Sequence, residues 1–187
     1  MTSKISDFIV SFLERHNAIQ PEDKDIYIYG CDTAIYTFIS TLGLLIIGFG
    51  FGKLLETLIL IVIFYLNQTM GGGFHATTHF RCFLTMAVGV LIYIATFSLQ
   101  IPMLISIIIG LTALLLLLVV PLVLHPNKQY LLVKQAKLKR HSRLVSASEV
   151  LSFIIILLFK NQMLAQACAI SFALCAISRC TGLFLKK

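Results

Sequence analysis

Tryptophan is absent from this 187-residue chain, and charged residues make up only 12% of it. So little charge leaves few groups to cover a water-exposed surface, while 58% of the residues are hydrophobic. That excess lies far above the usage of soluble globular domains. A water-soluble fold of this length has no core large enough for so much apolar surface, so the solvent must be lipid. Acidic residues are the scarcer sign, eight against 15 basic, and none lies between Glu56 and Glu149. The net charge of +7 would suggest nucleic acid in a soluble protein, but membrane topology accounts for it better. Five cysteines, an odd number with no repeated CxxC spacing, read as neither a disulfide framework nor a zinc site. A removable signal peptide is not expected, because Met1-Thr2-Ser3-Lys4 runs into a mixed polar and apolar segment.

Residues 3–17 carry Ile5, Phe8, Ile9, Phe12 and Leu13 at helical spacing, with Lys4, Asp7, Glu14, Arg15 and His16 between them. The pattern predicts an amphipathic helix too polar to span, lying at the membrane surface or packed on the membrane domain by the same stripe. Residues 20–25 then break the helix and stay in water. Six apolar runs follow, near 28–51, 54–70, 83–99, 101–124, 145–160 and 163–185. Each is judged against the roughly 20 residues a helix needs to cross a bilayer. The expected fold is therefore an all-α polytopic membrane protein of about six transmembrane helices plus an N-terminal interfacial helix. It is expected to form one membrane domain over 1–187. Residues 1–25 would be the amphipathic segment and 26–187 the bundle, with a functional loop at 71–82 and a basic cytoplasmic loop at 125–144.

Basic residues orient such a chain, because they collect on the cytoplasmic side. With six spans and the N-terminus inside, only Lys53 and Lys160 of the 15 basic residues face outward, leaving 13 inside. The basic run 128–143 then serves as an anchor beside anionic lipid, or alternatively as a peptide-binding surface. The loop at 71–82 lies inside, where a thiol stays reduced.

That loop is where the chain departs most from its apolar background. Gly71, Gly72 and Gly73 are followed by His75, His79, Arg81 and Cys82 within nine residues. Cysteine and histidine make the simplest pair of nucleophile and base, and glycines allow tight turns and close approach of a substrate. In the first turn of the third span, Cys82 would have its thiolate stabilised by the positive helix end, and Arg81 would act in the same direction. Backbone amides around Gly72 and Gly73 are candidates to hold an oxyanion. Two histidines are candidate bases. On a continuous helix His79 would be a neighbour of Cys82. His75, two turns away, would be on the order of 10 Å distant and would act only if the glycines let the loop fold back. Geometry leaves the choice open. His75, His79 and Cys82 also have the spacing of metal ligands on one helix face. No HExxH glutamate accompanies them, so no metal and no cofactor are expected.

Gly72-Gly73-Phe74-His75-Ala76, four residues, then Arg81-Cys82 resembles the signature of the accessory gene regulator protein B family. Its members are membrane cysteine endopeptidases that process precursors of cyclic autoinducer peptides in Gram-positive bacteria. The length, the multiple spans, the N-terminal amphipathic segment and a stretch from Pro121 to Pro126-Asn127-Lys128 are similar too. The resemblance implies His75 as base and Cys82 as nucleophile, with thioester exchange closing a thiolactone ring. It also implies substrate contacts at Pro126, Asn127 and Lys128, and leaves His79 as a neighbour that packs or binds substrate. The expected partners are a precursor peptide, the lipid bilayer and a second copy of the chain, with no nucleic acid. Asn67, Gln68 and Asp32 are candidates to orient His75. Asp32, Glu56 and Arg179 are ionisable groups in or near spans, where such groups tend to pair or face a cavity, and Asp32 with Arg179 is a candidate pair near the cytoplasmic side. The rival readings are a small transporter or export partner, which needs polar groups spread at mid-depth, and a structural subunit.

Overall fold

Runs of Leu, Ile, Val and Phe fold as helices here because, without water, each backbone polar group must be satisfied inside its own segment. The computed structural model describes residues 2–16, 18–74, 78–99, 101–121 and 132–184. Helix α1 covers Thr2–Arg15, and a 3-10 turn at Pro21–Asp23 leads into α2, Lys24–Gly50. Then come α3 (Leu54–Gly71), α4 (His79–Thr96), α5 (Met103–Val119), α6 (Leu132–Leu158) and α7 (Gln162–Phe184). The fold is all-helical among the described residues. Each of α2 to α7 overlaps one of the six apolar runs. Four apolar stretches, Pro21–Gly50, Phe80–Leu99, Ala136–Leu158 and Gln162–Phe184, are long and apolar enough to cross a membrane. Leu54–Thr69 and Met103–Val119 are shorter apolar helices.

Two boundaries differ from expectation. The basic stretch expected as a loop at 125–144 is already helix from Leu132 onward. Lysine, arginine, glutamine, alanine and leucine are all good helix formers, so charge there does not interrupt α6. The loop expected at 71–82 is also shorter, because its last four residues, His79 to Cys82, form the first turn of α4.

The chain divides into two compact units at Leu44 and Leu45, inside α2. In the first, Lys24 Nζ donates to Glu14 Oε2 at 2.6 Å, tying the end of α1 to the start of α2. On α1, Phe8 is 75% exposed and Ile5, Ile9 and Phe12 are exposed with it. That is the disposition of a helix whose apolar face meets lipid.

In the second unit α7 is the central element, packed chiefly against α5 and α3. Its buried face is built from small residues, Ala165, Ala167, Cys168, Ala169, Ser171, Cys175, Ala176 and Gly182. Small side chains let helices approach closely, which is how helices associate when lipid removes the hydrophobic drive between them. Phe172 fills the remaining space against Phe153 of α6, edge to face at 5.7 Å.

Polar side chains tie the helix ends at two levels. At one, Tyr93 Oη donates to the Glu56 carbonyl at 2.8 Å and Gln166 Nε2 to the Thr96 carbonyl at 2.9 Å. Lys53 there pairs with Glu56 at 3.0 Å. At the other level, residues near the ends of α3 and α7 meet residues of α5 and α6. Helices α3 to α7 therefore run alternately up and down. The candidate site lies at this second level.

Candidate active site

Helix α3 stops at Gly71 because Gly72 takes φ 66°, ψ −177°, a backbone region essentially reserved for glycine. The chain then turns onto α7. The Phe74 N–H donates to the Ser178 carbonyl at 2.9 Å and lies 3.3 Å from Ser178 Oγ. The Phe74 carbonyl accepts from Gln68 Nε2 at 2.9 Å. Both polar groups of one residue are thereby clamped, one by α7 and one by α3. Gly73 is buried against Gly182, where a Cβ would stand 2.7 Å from the Gly73 carbonyl carbon. A Cβ on Gly73 would in turn meet Ser178 Oγ at 2.9 Å and overlap the Gln68 amide oxygen.

On the other side of the loop, Thr78 is extended at φ −131°, ψ 149° and caps α4. Its hydroxyl accepts from the Arg81 N–H at 3.3 Å, and its carbonyl accepts from the Cys82 N–H at 3.0 Å. A threonine in this place satisfies an otherwise orphaned amide of the first turn. Cys82 thus lies in the first turn of α4, next to the positive end of the helix dipole. It is half-buried, and Arg81 beside it is exposed.

The remaining predicted site residues are described in part or not at all. His75 lies outside the described residues, as do Pro126, Asn127 and Lys128. His79 opens α4, and its side chain lies outside the described part. The backbone does answer one geometric question. Helix α4 begins at His79, after the extended Thr78, so the helix that carries positions 79 and 82 does not run back through Thr78. Among the described residues no group of three or more His, Cys, Asp or Glu could hold a metal ion.

One constellation was not legible beforehand. Asn67, Glu149 and Arg179 are all buried, Arg179 to 2% exposure. Asn67 Nδ2 donates to Glu149 Oε1 at 2.6 Å, and Arg179 Nη2 donates to Asn67 Oδ1 at 3.5 Å. Arg179 Nη1 also donates to the Leu117 carbonyl at 2.6 Å. The amide therefore stands between a carboxylate and a guanidinium, joining α3, α6 and α7, while the guanidinium adds α5. This cluster adjoins the loop clamp in sequence twice over, since Asn67 precedes Gln68 and Arg179 follows Ser178. The available signal was an ionisable residue inside an apolar span, which is costly unless partnered.

Residues 6–179 match the family described as Accessory gene regulator B. No curated protein and no solved structure matches the chain. The matched segment runs from α1 almost to the end of α7 and includes the clamp, the capped turn with Cys82 and the buried cluster. The chain belongs to the accessory gene regulator B family, as a polytopic helical membrane protein of the accessory gene regulator system.

Proposed function

We propose that this protein is a membrane-integral cysteine endopeptidase that cleaves a short precursor peptide at the cytoplasmic face of a Gram-positive cell membrane. Cys82 is the nucleophile and His75 the base. His75 takes the thiol proton as sulfur attacks the scissile carbonyl, then gives it to the leaving amine. The C–N bond breaks and a thioester to Cys82 remains. A cysteine thiol within the bound fragment then attacks that thioester and releases Cys82, closing a thiolactone ring. One thioester replaces another, so the exchange needs little driving force, and proximity supplies the rate. The amides of Gly72 and Gly73 hold the oxyanion, Arg81 favours the thiolate, and His79 with Pro126, Asn127 and Lys128 contacts the peptide. A second copy of the chain and the surrounding lipid complete the assembly. No nucleic acid takes part.

The observation that carries this reading is the position of Cys82 in the capped first turn of α4. A helix N-terminus lowers the cost of a thiolate, the reactive form of cysteine. The clamped Phe74 supports it, because Phe74 immediately precedes His75 in the chain. A transporter would need charged and amide groups along a path. The buried Glu56 and Gln166 bond at one level, and Asn67, Glu149 and Arg179 at the other.

The test is co-expression with a precursor peptide, sought among the short reading frames beside the gene for this protein. Cleavage is expected with the native chain, and none with Cys82→Ala or Cys82→Ser at equal membrane levels. Iodoacetamide should stop the reaction and a chelator should not. Cleavage that survives Cys82→Ala, or that a chelator abolishes and zinc restores, would overturn the proposal.

A further inference from the structure

We infer that Gln68 is a positioning residue for this reaction, acting with Ser178 through Phe74 to set the peptide group that leads into His75. The inference rests on the endopeptidase reading and adds to it a residue that touches neither substrate nor sulfur.

The argument starts from the peptide group itself. The carbonyl of Phe74 belongs to the amide bond joining Phe74 to His75, so whatever orients that carbonyl orients the backbone entering the histidine. Gln68 Nε2 donates to it at 2.9 Å. The other face of the same residue is held by α7, through the Phe74 N–H and the Ser178 carbonyl at 2.9 Å. A residue fixed at both polar groups has lost most of its torsional freedom. Three residues, 75–77, connect it to Thr78, which caps the helix bearing Cys82. The base and the nucleophile are thus each one short step from a hydrogen-bonded anchor.

The anchors are themselves braced. Gln68 follows Asn67, and Ser178 precedes Arg179, so the buried Asn67–Glu149–Arg179 bonds fix the relative register of α3 and α7. Any slip between those helices would pull Gln68 and Ser178 apart. A catalytic pair tolerates little of this, since a misplacement near 1 Å is worth about 100-fold in rate.

The second unit supplies its own control. Gln166 Nε2 also donates to a helix-end carbonyl at 2.9 Å, that of Thr96, at the far end of the bundle. Gln68 and Gln166 therefore make the same kind of bond, and of the two Gln68 lies beside the site.

The experiment compares Gln68→Met with Gln166→Met in native membranes, reading kcat and KM for precursor cleavage and the rate of Cys82 alkylation by iodoacetamide at pH 7. Gln68→Met should lower kcat by about 10- to 100-fold with KM unchanged, and alkylation should slow toward that of an ordinary thiol. Gln166→Met should leave all three values near native. Gly73→Ala provides a second variant should Gln68→Met not accumulate. Its Cβ pushes against both the Gln68 amide and Ser178 Oγ while leaving them in the chain, and the same loss of kcat is expected. Native kcat and alkylation in Gln68→Met, or in Gly73→Ala where that variant stands in, overturns the inference. Equal losses in the Gln68 and Gln166 variants overturn it too, because the bond would then be structural only. Cys82→Ala, run alongside, separates the two claims. If it still cleaves, the endopeptidase reading fails; if it is dead while Gln68→Met is native, only the positioning role fails.

Discussion

Gly73 and Gly182 meet backbone to backbone: a Cβ on Gly182 would stand 2.7 Å from the Gly73 carbonyl carbon and 2.9 Å from the Phe74 nitrogen. Those neighbours are main-chain atoms of the site loop and have no flexible end that could swing aside. Gly182→Ala should therefore push the loop off α7 and lower precursor cleavage by about 10- to 100-fold. Gly89→Ala, whose Cβ would enter open space on α4, should keep native activity. Cleavage at matched membrane levels checks both, and a fully active Gly182→Ala would show that the loop needs no such contact.

The buried cluster makes a prediction about stability. Asn67→Ala would strip a partner from both Glu149 and Arg179. Each buried polar group left without its bond costs about 1–3 kcal/mol, and more when charged. Asn67→Ala and Glu149→Ala should each lower the unfolding temperature in detergent. Glu149→Gln, which keeps an acceptor oxygen for Asn67, should lower it less. Equal thermal stability of Glu149→Ala and the native chain would contradict the role given to these bonds.

Orientation can be read from one thiol. With the other four cysteines replaced, a maleimide that cannot cross the membrane should miss Cys82 in intact cells and modify it after permeabilisation. The expectation comes from the distribution of basic residues, of which 13 of 15 belong to segments assigned to the inner side if the N-terminus is inside. Modification from outside would reverse the topology and move the site to the other face.

The two histidines are separable by substitution. Helix α4 starts at His79 and Gly72 follows the end of α3, while His75 lies outside the described residues. His75→Ala should reduce cleavage by at least about 100-fold, the lower range for losing a general base. His79→Ala should keep substantial activity. The opposite pattern would assign the base to the first position of α4.

How far the sequence could lead is best judged from particular residues. The six apolar runs were legible because length and hydrophobicity alone distinguish a helix in lipid. The start of α4 at His79 was not, since the glycines and polar residues ahead of Cys82 have loop character and a single capping threonine, Thr78, is a weak signal among them. The extent of α6 was obscured by its lysines and arginines, which are helix formers as well as charges. Gln68 and Asn67 were legible as candidates to orient His75, but not by what bonds. Their partners lie elsewhere in the chain: Asn67 bonds Glu149, 82 residues on, and such pairings have no local signal. Arg179 was legible as an ionisable group in or near a span, yet its bonds to Leu117 and Asn67 depend on how α7 packs.

The most direct measurement looks for the covalent intermediate. A precursor peptide whose own cysteine is replaced by alanine has no thiol with which to displace Cys82, so the thioester should accumulate. Mass spectrometry of the protein after brief incubation should then show the fragment's mass on the peptide containing Cys82. Hydroxylamine should remove it, and Cys82→Ala should never acquire it. Cleavage of that precursor with no adduct on Cys82 at any time would contradict the account.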